Sequence, residues 1–467
     1  MEKWLGAALD YVPRWLEFQV RAYEQPGCVI AVAHRDRIVL EEAYGFADAI
    51  ARAPLTPRHR FRVASHSKSF TAAGIMKLRE ARRLKLDDEV GQYVTGLHRD
   101  VGRATIAQVL AHAAGIVRDG ADTGQWADRR PFLNETELRS ALAAPPILPA
   151  NTRFKYSNHG FGLVGLVMEA LTGESYSSWM KREVIDTVGL DETLPDMPRR
   201  FGAPMARGHS GKMLLGRRVI IPGLNPTNAL APATGFVSTA RDLALFFAQL
   251  SPGAKRSLLS VASRREMVRR QWREPNVSVE RHYGQGIVSG TLNGWDWFGH
   301  SGGFQGFITR TSVLPDQDLA VSVLTNSSDG LAHFWLDGTV QILRAFRDNG
   351  APSRRVRDWK GRWWTSWGAL DLVPMGNKVV MAGPGFFNPF LDASEIAVTS
   401  RNAGRIALAA GLASHGEPVT LKRNQRGRIT EVIAAGTRFL PEAKIVREVE
   451  ERYAAPKKKK RRKNGRR

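Results

Sequence analysis

The sequence holds a single cysteine and no long hydrophobic run. Cys28 is alone among 467 residues, so no disulfide can form within the chain. It lies in an apolar, strand-like run without a neighbour that favours a thiolate, which argues against a nucleophilic role. No run of about 18 apolar residues occurs, which excludes a transmembrane helix. Segment 1–25 is amphipathic and interrupted by charges, unlike a signal peptide, so we expect a cytoplasmic protein.

Motifs for metals and nucleic acids are also absent. The eleven histidines are scattered, and no H-E-x-x-H or paired-cysteine spacing occurs, so we expect no metal and no other cofactor. The formal net charge is +23, and Lys457–Arg467 alone has nine Lys or Arg and no acid. Such a run repels itself and stays disordered, and it can bind anions without specificity. No recognised nucleic-acid-binding module precedes it, so we expect a solvated tail and no specific nucleic-acid partner.

The order of the predicted elements indicates an α+β fold. A two-stranded hairpin (29–44) comes first, helical patterns fill the middle, and strands return at 285–325 before a helix at 331–347. An antiparallel sheet built from both ends of this segment, with a helical cluster inserted between them, accounts for that order.

The C-terminal part of the chain has a different pattern. Residues 352–356 look like a linker, and 361–442 is strand-rich and punctuated by glycine, which is typical of a small β-barrel or sandwich. We therefore predict a main domain at 1–351, a small β domain at 356–450 and a disordered basic tail at 451–467. The small domain could narrow access to the site, add stability or provide contacts in a homo-oligomer.

The segment Phe61–Leu78 carries the strongest chemical pattern. An extended piece runs directly into Ser65, and an apolar helical pattern follows. Lys68 comes three residues later, and residues i and i+3 are stacked neighbours on a helix. Serine is a poor nucleophile until a neighbouring group takes its proton, which a lysine with a lowered pKa can do. At the first turn of a helix, the Ser65 backbone N–H is also free to bind an oxyanion.

Taken alone, S-x-x-K is a weak signal. Serine is a favoured N-cap residue, so Ser65 could simply begin a helix. The sequence also contains a second copy, Ser178–Lys181, inside an amphipathic helical run with no strand before it. We interpret that copy as surface residues without a catalytic role. Because the spacing alone does not identify a catalytic serine, residues further along the chain must decide the role of Ser65.

Two later segments supply further candidates. Tyr156 and Asn158 lie on a loop before a long apolar helix; a tyrosine coupled to a lysine can relay a proton, and an asparagine can hold a substrate amide. Among the late strands, His300–Gly303 combines a histidine with glycines that let a backbone approach a ligand, and the Gly303 N–H could be a second oxyanion donor. A core aromatic role for Tyr156 and a structural role for His300 stay open.

In order and context, these pieces resemble the S-x-x-K serine hydrolases, the superfamily of class C β-lactamases, D-alanyl-D-alanine carboxypeptidases, family VIII esterases and D-aminopeptidases. The family pattern S-x-x-K, Y-x-N and K-T-G or H-x-G is matched by Ser65–Lys68, Tyr156–Asn158 and His300–Gly302. Leu110–Gly115 and Gly235–Ala240 resemble two lesser family segments. The resemblance covers about residues 25–345 and implies a β-lactamase/transpeptidase-like fold, followed by a lipocalin-like barrel.

The resemblance implies a role for each matching residue. Ser65 would be the nucleophile, with Lys68 and Tyr156 sharing the general base and acid work. Substrate would be positioned by Asn158, His300, Ser301 and Gly302, and the N–H groups of Ser65 and Gly303 would form the oxyanion hole. The expected reaction is hydrolysis of an amide, peptide or ester through an acyl-Ser65 intermediate, as in a D-aminopeptidase, D-amino-acid amidase or carboxypeptidase. A family VIII-type esterase, a weak β-lactamase and a penicillin-recognising protein with little turnover are the alternatives.

The late motif differs from that of typical β-lactamases and has a competing interpretation. His300 stands where they have lysine, so we expect a weaker cationic anchor for a substrate carboxylate and slow β-lactamase activity.

Gly299–Gly303 also fits G-x-S-x-G, the nucleophile elbow of α/β-hydrolases, with Ser301 as nucleophile. That motif needs a helix after the serine, whereas the alternating pattern at 307–314 predicts a strand, so Ser65 is favoured.

Overall fold

The computed structural model describes residues 2–198, 203–410 and 414–453. They form two compact units, one from the described parts of Met1–Gln19 and Gly338–Arg467 and the other from Val20–Asp337. These units divide the chain at other positions than the predicted ranges 1–351 and 356–450. Within the first unit the N-terminal helix contacts the C-terminal strands, for example where the Tyr11 hydroxyl donates to Asp371. The predicted tail, 451–467, lies outside the described residues except for 451–453, which end a helix.

The helices of the described chain account for most of the predicted helical segments. No helix in this part of the chain is long and apolar enough to cross a membrane. Shorter 3₁₀ turns lie at Val90–Gln92, Gly124–Ala127, Asn228–Leu230 and Pro315–Gln317, and a π-helical turn at Lys181–Ile185. The α-helices are α1 (Lys3–Ala22), α2 (His66–Glu80), α3 (Arg99–Gly102), α4 (Ile106–Leu110), α5 (Glu135–Leu142), α6 (Asn158–Thr172), α7 (Tyr176–Met180), α8 (Asp186–Val188), α9 (Ala231–Thr234), α10 (Ala240–Gln249), α11 (Val261–Val268), α12 (Ala332–Asn349) and α13 (Glu442–Tyr453).

The strands fall into two large sheets and two short pairs. Those of Val20–Asp337 are β1 (Gly27–His34), β2 (Arg37–Asp48), β3 (Ala53–Pro54), β4 (Phe61–Arg62), β5 (Gly208–His209), β6 (Ile220–Ile221), β7 (Val237–Ser238), β8 (Trp272–Arg273), β9 (Arg281–Tyr283), β10 (Val288–Leu292), β11 (Trp295–Phe304), β12 (Phe307–Leu314) and β13 (Leu319–Thr325). Those of the other unit are β14 (Gly361–Thr365), β15 (Gly368–Met375), β16 (Lys378–Ala382), β17 (Ser394–Val398), β18 (Ala403–Leu408), β19 (Pro418–Arg423), β20 (Ile429–Ala434) and β21 (Thr437–Phe439).

The larger sheet joins the two ends of Val20–Asp337. Its order is β3-β2-β1-β13-β12-β11-β10-β9-β8, and its pairings are antiparallel. β1 pairs with β13, with Cys28 opposite Thr325, which confirms that an early hairpin and late strands share one sheet. β1 is buried along almost its whole length, which explains why it reads as a continuous apolar run rather than an alternating one.

The helical cluster inserted between the strands is centred on α2. This helix is buried on nearly all sides, and Phe70 stacks against Phe236 and Phe246. A helix with so little exposed surface must be held by packing and not by an amphipathic face. The buried position of α2 fixes the place of its first turn, where Ser65 lies.

One predicted strand is displaced in sequence. The sequence pattern predicts that strands return at residue 285, whereas the first strand of this region after Tyr283 is β10, which begins at Val288. Gly286 adopts a φ of +67°, and the Gln285 N–H donates to the Met267 carbonyl, so this stretch is a turn. The glycines on either side of Gln285 were the signal for that turn.

The C-terminal sheet forms a nearly closed barrel. Strands β14 to β21 pair in chain order, each antiparallel to the next. Trp364 in β14 and Leu440, just after β21, exchange two backbone hydrogen bonds of 2.7 and 2.9 Å, which joins the first strand to the last. Buried side chains that include Trp359 and Val379 fill the interior. The expected small all-β domain is confirmed, and it is a barrel rather than a sandwich.

Candidate active site

Ser65 lies at the junction of β4 and α2. The preceding residue, Ala64, has a φ of +46°, a left-handed conformation that is strained for a residue with a Cβ. Ser65 occupies the N-cap position of α2, yet its side chain makes no capping hydrogen bond. Its oxygen contacts Lys68 and Tyr156 instead. The Ser65 side chain therefore does not cap α2 and is available for other contacts.

Among the described residues, the Lys68 amine has three oxygen neighbours and no direct contact with a carboxylate. Its Nζ lies 3.1 Å from Ser65 Oγ, 2.7 Å from Asn158 Oδ1 and 2.8 Å from the Ala233 carbonyl oxygen. The side chain is fully buried. Burial lowers the pKa of Lys68 well below its usual range; the charge of Asp119 opposes this shift and that of Arg118 adds to it.

Tyr156 approaches Ser65 from the loop before α6. Its hydroxyl donates to Ser65 Oγ over 2.8 Å. His112 supports this loop: its ring lies 4.1 Å from the Tyr156 ring, and its Nδ1 accepts from the Ser157 N–H over 3.1 Å. Burial raises the pKa of Tyr156 well above its usual range, so the phenol stays protonated near neutral pH.

Asn158 is the first residue of α6, and both ends of its amide are engaged. Oδ1 accepts from Lys68, and Nδ2 donates to Asp119 Oδ1 over 2.6 Å. Asp119 is buried, and its other oxygen lies 3.0 Å from Nε of the more exposed Arg118. Sequence reasoning missed Asp119, because nothing in a loop sequence distinguishes a buried carboxylate from a solvated one.

The predicted late motif lies on β11. The His300 ring is buried, with Nε2 2.9 Å from the Tyr283 hydroxyl and Nδ1 2.7 Å from the Ser301 carbonyl. Burial, together with the nearby His66 and Lys68, lowers the pKa of His300 well below its usual range, so its imidazole is neutral.

Two glycines of β11 shape the space beside Ser65. A Cβ on Gly302 would lie 2.1 Å from the Val63 carbonyl oxygen, so the strand packs directly against the turn that holds the serine. β10 pairs with β11 only from Trp295 to Gly299, which leaves the edge at Gly303 unpaired on that side.

Ser301 does not sit in a nucleophile elbow. Gly299–Gly303 lies inside β11, and the next element is β12, where Arg310 is opposite Ser301. An α/β-hydrolase elbow has a helix at that point. The fold therefore contradicts the competing interpretation of this motif.

A cavity of about 670 Å³ opens onto Ser65. It brings together most of the predicted site residues; Lys68 lies buried behind Ser65, and Gly302 packs against Val63. The cavity is lined by Ser65, Arg118, Asp119, Thr123, Trp126, Tyr156, Asn158, Glu274, Arg281, Tyr283, Val288, Trp297, His300, Ser301, Gly303, Arg310 and His333.

The sheet supplies a charged wall of this cavity that sequence reasoning did not identify. Arg281 pairs with Glu274 at 2.8 Å, and Arg310 pairs with Asp337 at 2.9 Å while its guanidinium lies over the Trp297 ring. These residues come from separate strands and loops, so only the strand register shows that they share one cavity. The wall carries two guanidinium groups beside the neutral His300.

Comparison with known proteins agrees with this architecture. The Beta-lactamase family model matches residues 13–343. Protein flp of Staphylococcus aureus (strain N315) is 24% identical over 322 residues; the match covers 68% of this chain and 62% of that protein, less than two thirds of its length.

Two solved structures illustrate the likeness in fold. The octameric penicillin-binding protein homologue from Pyrococcus abyssi superposes with a TM-score of 0.64 at 20% identity, covering 92% of this chain and 99% of that one. A D-stereospecific amidohydrolase from Streptomyces has a TM-score of 0.58 at 25% identity, covering 69% and 94%. With the family model matching more than half of its length, the chain belongs to the Beta-lactamase family of serine hydrolases.

Proposed function

We propose that this protein cleaves amide bonds of short peptides or amino-acid amides through an acyl-Ser65 intermediate. The observation that carries the proposal is the position of Ser65 Oγ, which lies between the Lys68 amine and the Tyr156 hydroxyl at the wall of an open cavity. A serine flanked by a base and an acid, and accessible to solvent, is the arrangement that acyl transfer needs.

Burial favours a neutral Lys68 amine, and the contacts of Nζ are compatible with that form acting as the base. A neutral amine has two N–H donors and one lone pair. Two carbonyl-type oxygens, from Asn158 and Ala233, accept the two donors, which leaves the lone pair for the Ser65 proton. When Ser65 Oγ attacks, its proton passes to Lys68 and the carbonyl oxygen becomes an oxyanion.

Tyr156 is a better candidate than Lys68 for the general acid that protonates the leaving group. Its raised pKa keeps it protonated, and its O–H already points to the reacting oxygen. It would give its proton to the leaving nitrogen as the C–N bond breaks, and the proton on Lys68 would then restore it. The backbone N–H groups of Ser65 and Gly303 would hold the oxyanion, and water would release the acyl group by the reverse route.

The charged wall favours a substrate with a carboxylate. His300 is neutral and supplies no cation, but Arg281 and Arg310 present guanidinium groups on the same cavity, one beside Glu274 and the other beside Asp337. Guanidinium and carboxylate match in shape and charge. A peptide with a free carboxyl terminus, as a carboxypeptidase uses, therefore fits better than an uncharged ester. The amidohydrolase among the solved structures is consistent with amide chemistry of this kind.

The test is a substrate panel with labelling of the nucleophile. The panel contains D- and L-amino acid amides, matched short peptides with a free or an amidated carboxyl terminus, a p-nitrophenyl ester and nitrocefin, with Ser65→Ala as control. We expect amide hydrolysis that disappears in the control, and about ten-fold higher kcat/KM for the free carboxyl terminus. The preference should shrink in Arg281→Gln.

Each other outcome has a definite meaning. Failure of a fluorophosphonate to label Ser65 would reject the serine hydrolase mechanism proposed for this site. Equal rates on free and amidated peptides would remove the carboxylate preference. A long-lived penicillin adduct without hydrolysis of any amide would favour the penicillin-recognising alternative.

A further inference from the structure

We infer that Asp119 is a positioning residue that sets the direction of proton transfer from Ser65 to Lys68, by fixing which way round the Asn158 amide lies. This inference rests on the proposed function of Ser65. Its basis is a chain of short contacts: Asp119 Oδ1 accepts from Asn158 Nδ2 at 2.6 Å, Asn158 Oδ1 accepts from Lys68 at 2.7 Å, and Lys68 lies 3.1 Å from Ser65 Oγ.

The carboxylate allows only one orientation of the amide. An ionised carboxylate can only accept hydrogen bonds, so the NH₂ group of Asn158 must face Asp119 and the amide oxygen must face Lys68. If the amide were reversed, its NH₂ group would donate to the lone pair of a neutral Lys68. That lone pair would then be unavailable to the Ser65 proton.

Burial makes this control effective. Asp119 and Asn158 are 7% and 3% exposed, so water has little access to compete for the amide. The loop backbone adds to the arrangement, since the Arg118 carbonyl accepts from the Asn158 N–H over 2.9 Å. One N–H of the Asn158 side chain remains for a substrate carbonyl, which keeps the predicted substrate role compatible with this one.

Asp119 also acts on the charge of Lys68. Its negative charge favours the protonated amine, whereas burial and Arg118 favour the neutral one. The other titratable groups close to Lys68 are Tyr156, His112 and His300, and burial holds all three neutral around pH 7. Asp119 and Arg118 are therefore the two charges whose removal should shift the protonation of Lys68, in opposite directions.

The experiment measures fluorophosphonate labelling of Ser65 in the full chain against pH, resolved into a maximal rate and a half-saturating concentration. We expect Asp119→Asn, which can both donate and accept, to lower the maximal rate about ten-fold, and Asp119→Ala about one hundred-fold, with little change in half-saturation. The labelling rate should fall on the acidic side as Lys68 becomes protonated. The midpoint of that fall should move to lower pH in Asp119→Asn and to higher pH in Arg118→Gln, by about half a pH unit or more. Asp122→Asn, on the same loop but exposed, should label like the wild type.

The outcomes separate the two proposals. Wild-type protein that does not label at Ser65 overturns the proposed function and this inference with it. Normal wild-type labelling, with Asp119→Asn and Asp119→Ala within two-fold of it and an unmoved midpoint of the acidic fall, overturns the inference alone. If Asp119→Ala fails to fold, as judged by its thermal melt, the maximal rate of Asp119→Asn on the pH-independent plateau decides, and a plateau within two-fold of the wild type rejects the inference.

Discussion

The S-x-x-K spacing occurs at two places in this chain, and the structure treats them differently. Ser65 and Lys68 stand at the buried start of α2, with the serine oxygen also bonded to Tyr156. Ser178 and Lys181 stand at the surface end of α7. There the Ser178 hydroxyl accepts from Ser175 over 2.9 Å, and the Lys181 ammonium pairs with the Asp186 carboxylate.

The difference lies in what surrounds the amine. Lys181 is partly exposed and pairs with a carboxylate, which stabilises its charged form. Lys68 is buried with no carboxylate beside it among the described residues, and burial favours its uncharged form. A lysine can take a proton only when it lacks one, so the same four-residue spacing gives a candidate base at one site and a surface ion pair at the other.

The largest effect is expected from the two serines. Ser65→Ala should lower amide hydrolysis about 10⁴-fold or more, because the acyl intermediate cannot form. Ser178→Ala should change it less than about two-fold, because this serine is exposed and its hydroxyl bonds to the surface residue Ser175. Steady-state assays on the same substrate measure both. A large loss in Ser178→Ala would end the distinction between the two copies.

The two lysines should differ nearly as much. Lys68→Met should cost about 10³-fold in kcat, because it keeps the volume of the side chain but removes the base. Lys181→Met breaks an exposed ion pair and should leave kcat unchanged within about two-fold. Single-turnover measurements of acylation give the comparison. Near-normal acylation in Lys68→Met would assign the base to another group.

Tyr156 should contribute less than Lys68. Tyr156→Phe removes one hydrogen bond to Ser65 and the proposed acid, while the ring still packs against His112. We expect a loss of about 10²-fold on amides and a smaller loss on p-nitrophenyl esters, because a nitrophenolate leaves without a proton. Equal losses on both substrate classes would show that Tyr156 does not protonate the leaving group.

The smallest expected effect is on the pH dependence of stability. Burial lowers the folded-state pKa of Lys68, so between its folded and unfolded pKa values the unfolded chain binds more protons than the folded chain. Lys68→Met loses the hydrogen bonds to Asn158 and Ala233 at every pH, but relative to the wild type it should gain free energy of unfolding as the pH falls, by up to about 1.4 kcal/mol per pH unit. The gain should shrink as the pH rises towards the unfolded pKa of about 10.4. Lys181→Met should show no such pH-dependent gain in denaturant titrations; a gain of the same size there would reject the link to burial.

Local patterns in the sequence predicted much of the fold. The alternation at Phe307–Leu314 predicted a strand with the observed bounds, and the predicted return of strands ends at residue 325, where β13 ends. The early hairpin and the late strands share one sheet because their hydrophobic patterns require a common core. The five ordered motif matches indicated the family, and the three main motifs each contribute residues to the cavity around Ser65.

Long-range register could not be predicted in this way. Whether Arg281 and Arg310 face one cavity depends on strand pairing, and whether Asp119 is buried depends on how its loop folds over α6. The grouping of 1–19 with the C-terminal strands likewise depends on contacts such as the bond between Tyr11 and Asp371. The local sequence does not specify these long-range contacts, because the same polar residues could equally be exposed to water or bonded to each other.

Gly302 sets the width of the slot beside the serine. Even the smallest side chain there would collide with the Val63 carbonyl oxygen, so alanine would force β11 and the turn before α2 apart. The distance between the proposed oxyanion donors on Ser65 and Gly303 therefore depends on the absence of a side chain at Gly302. Side chains in the walls of the pocket can therefore vary, whereas the residue at the point where the two backbones touch must stay glycine.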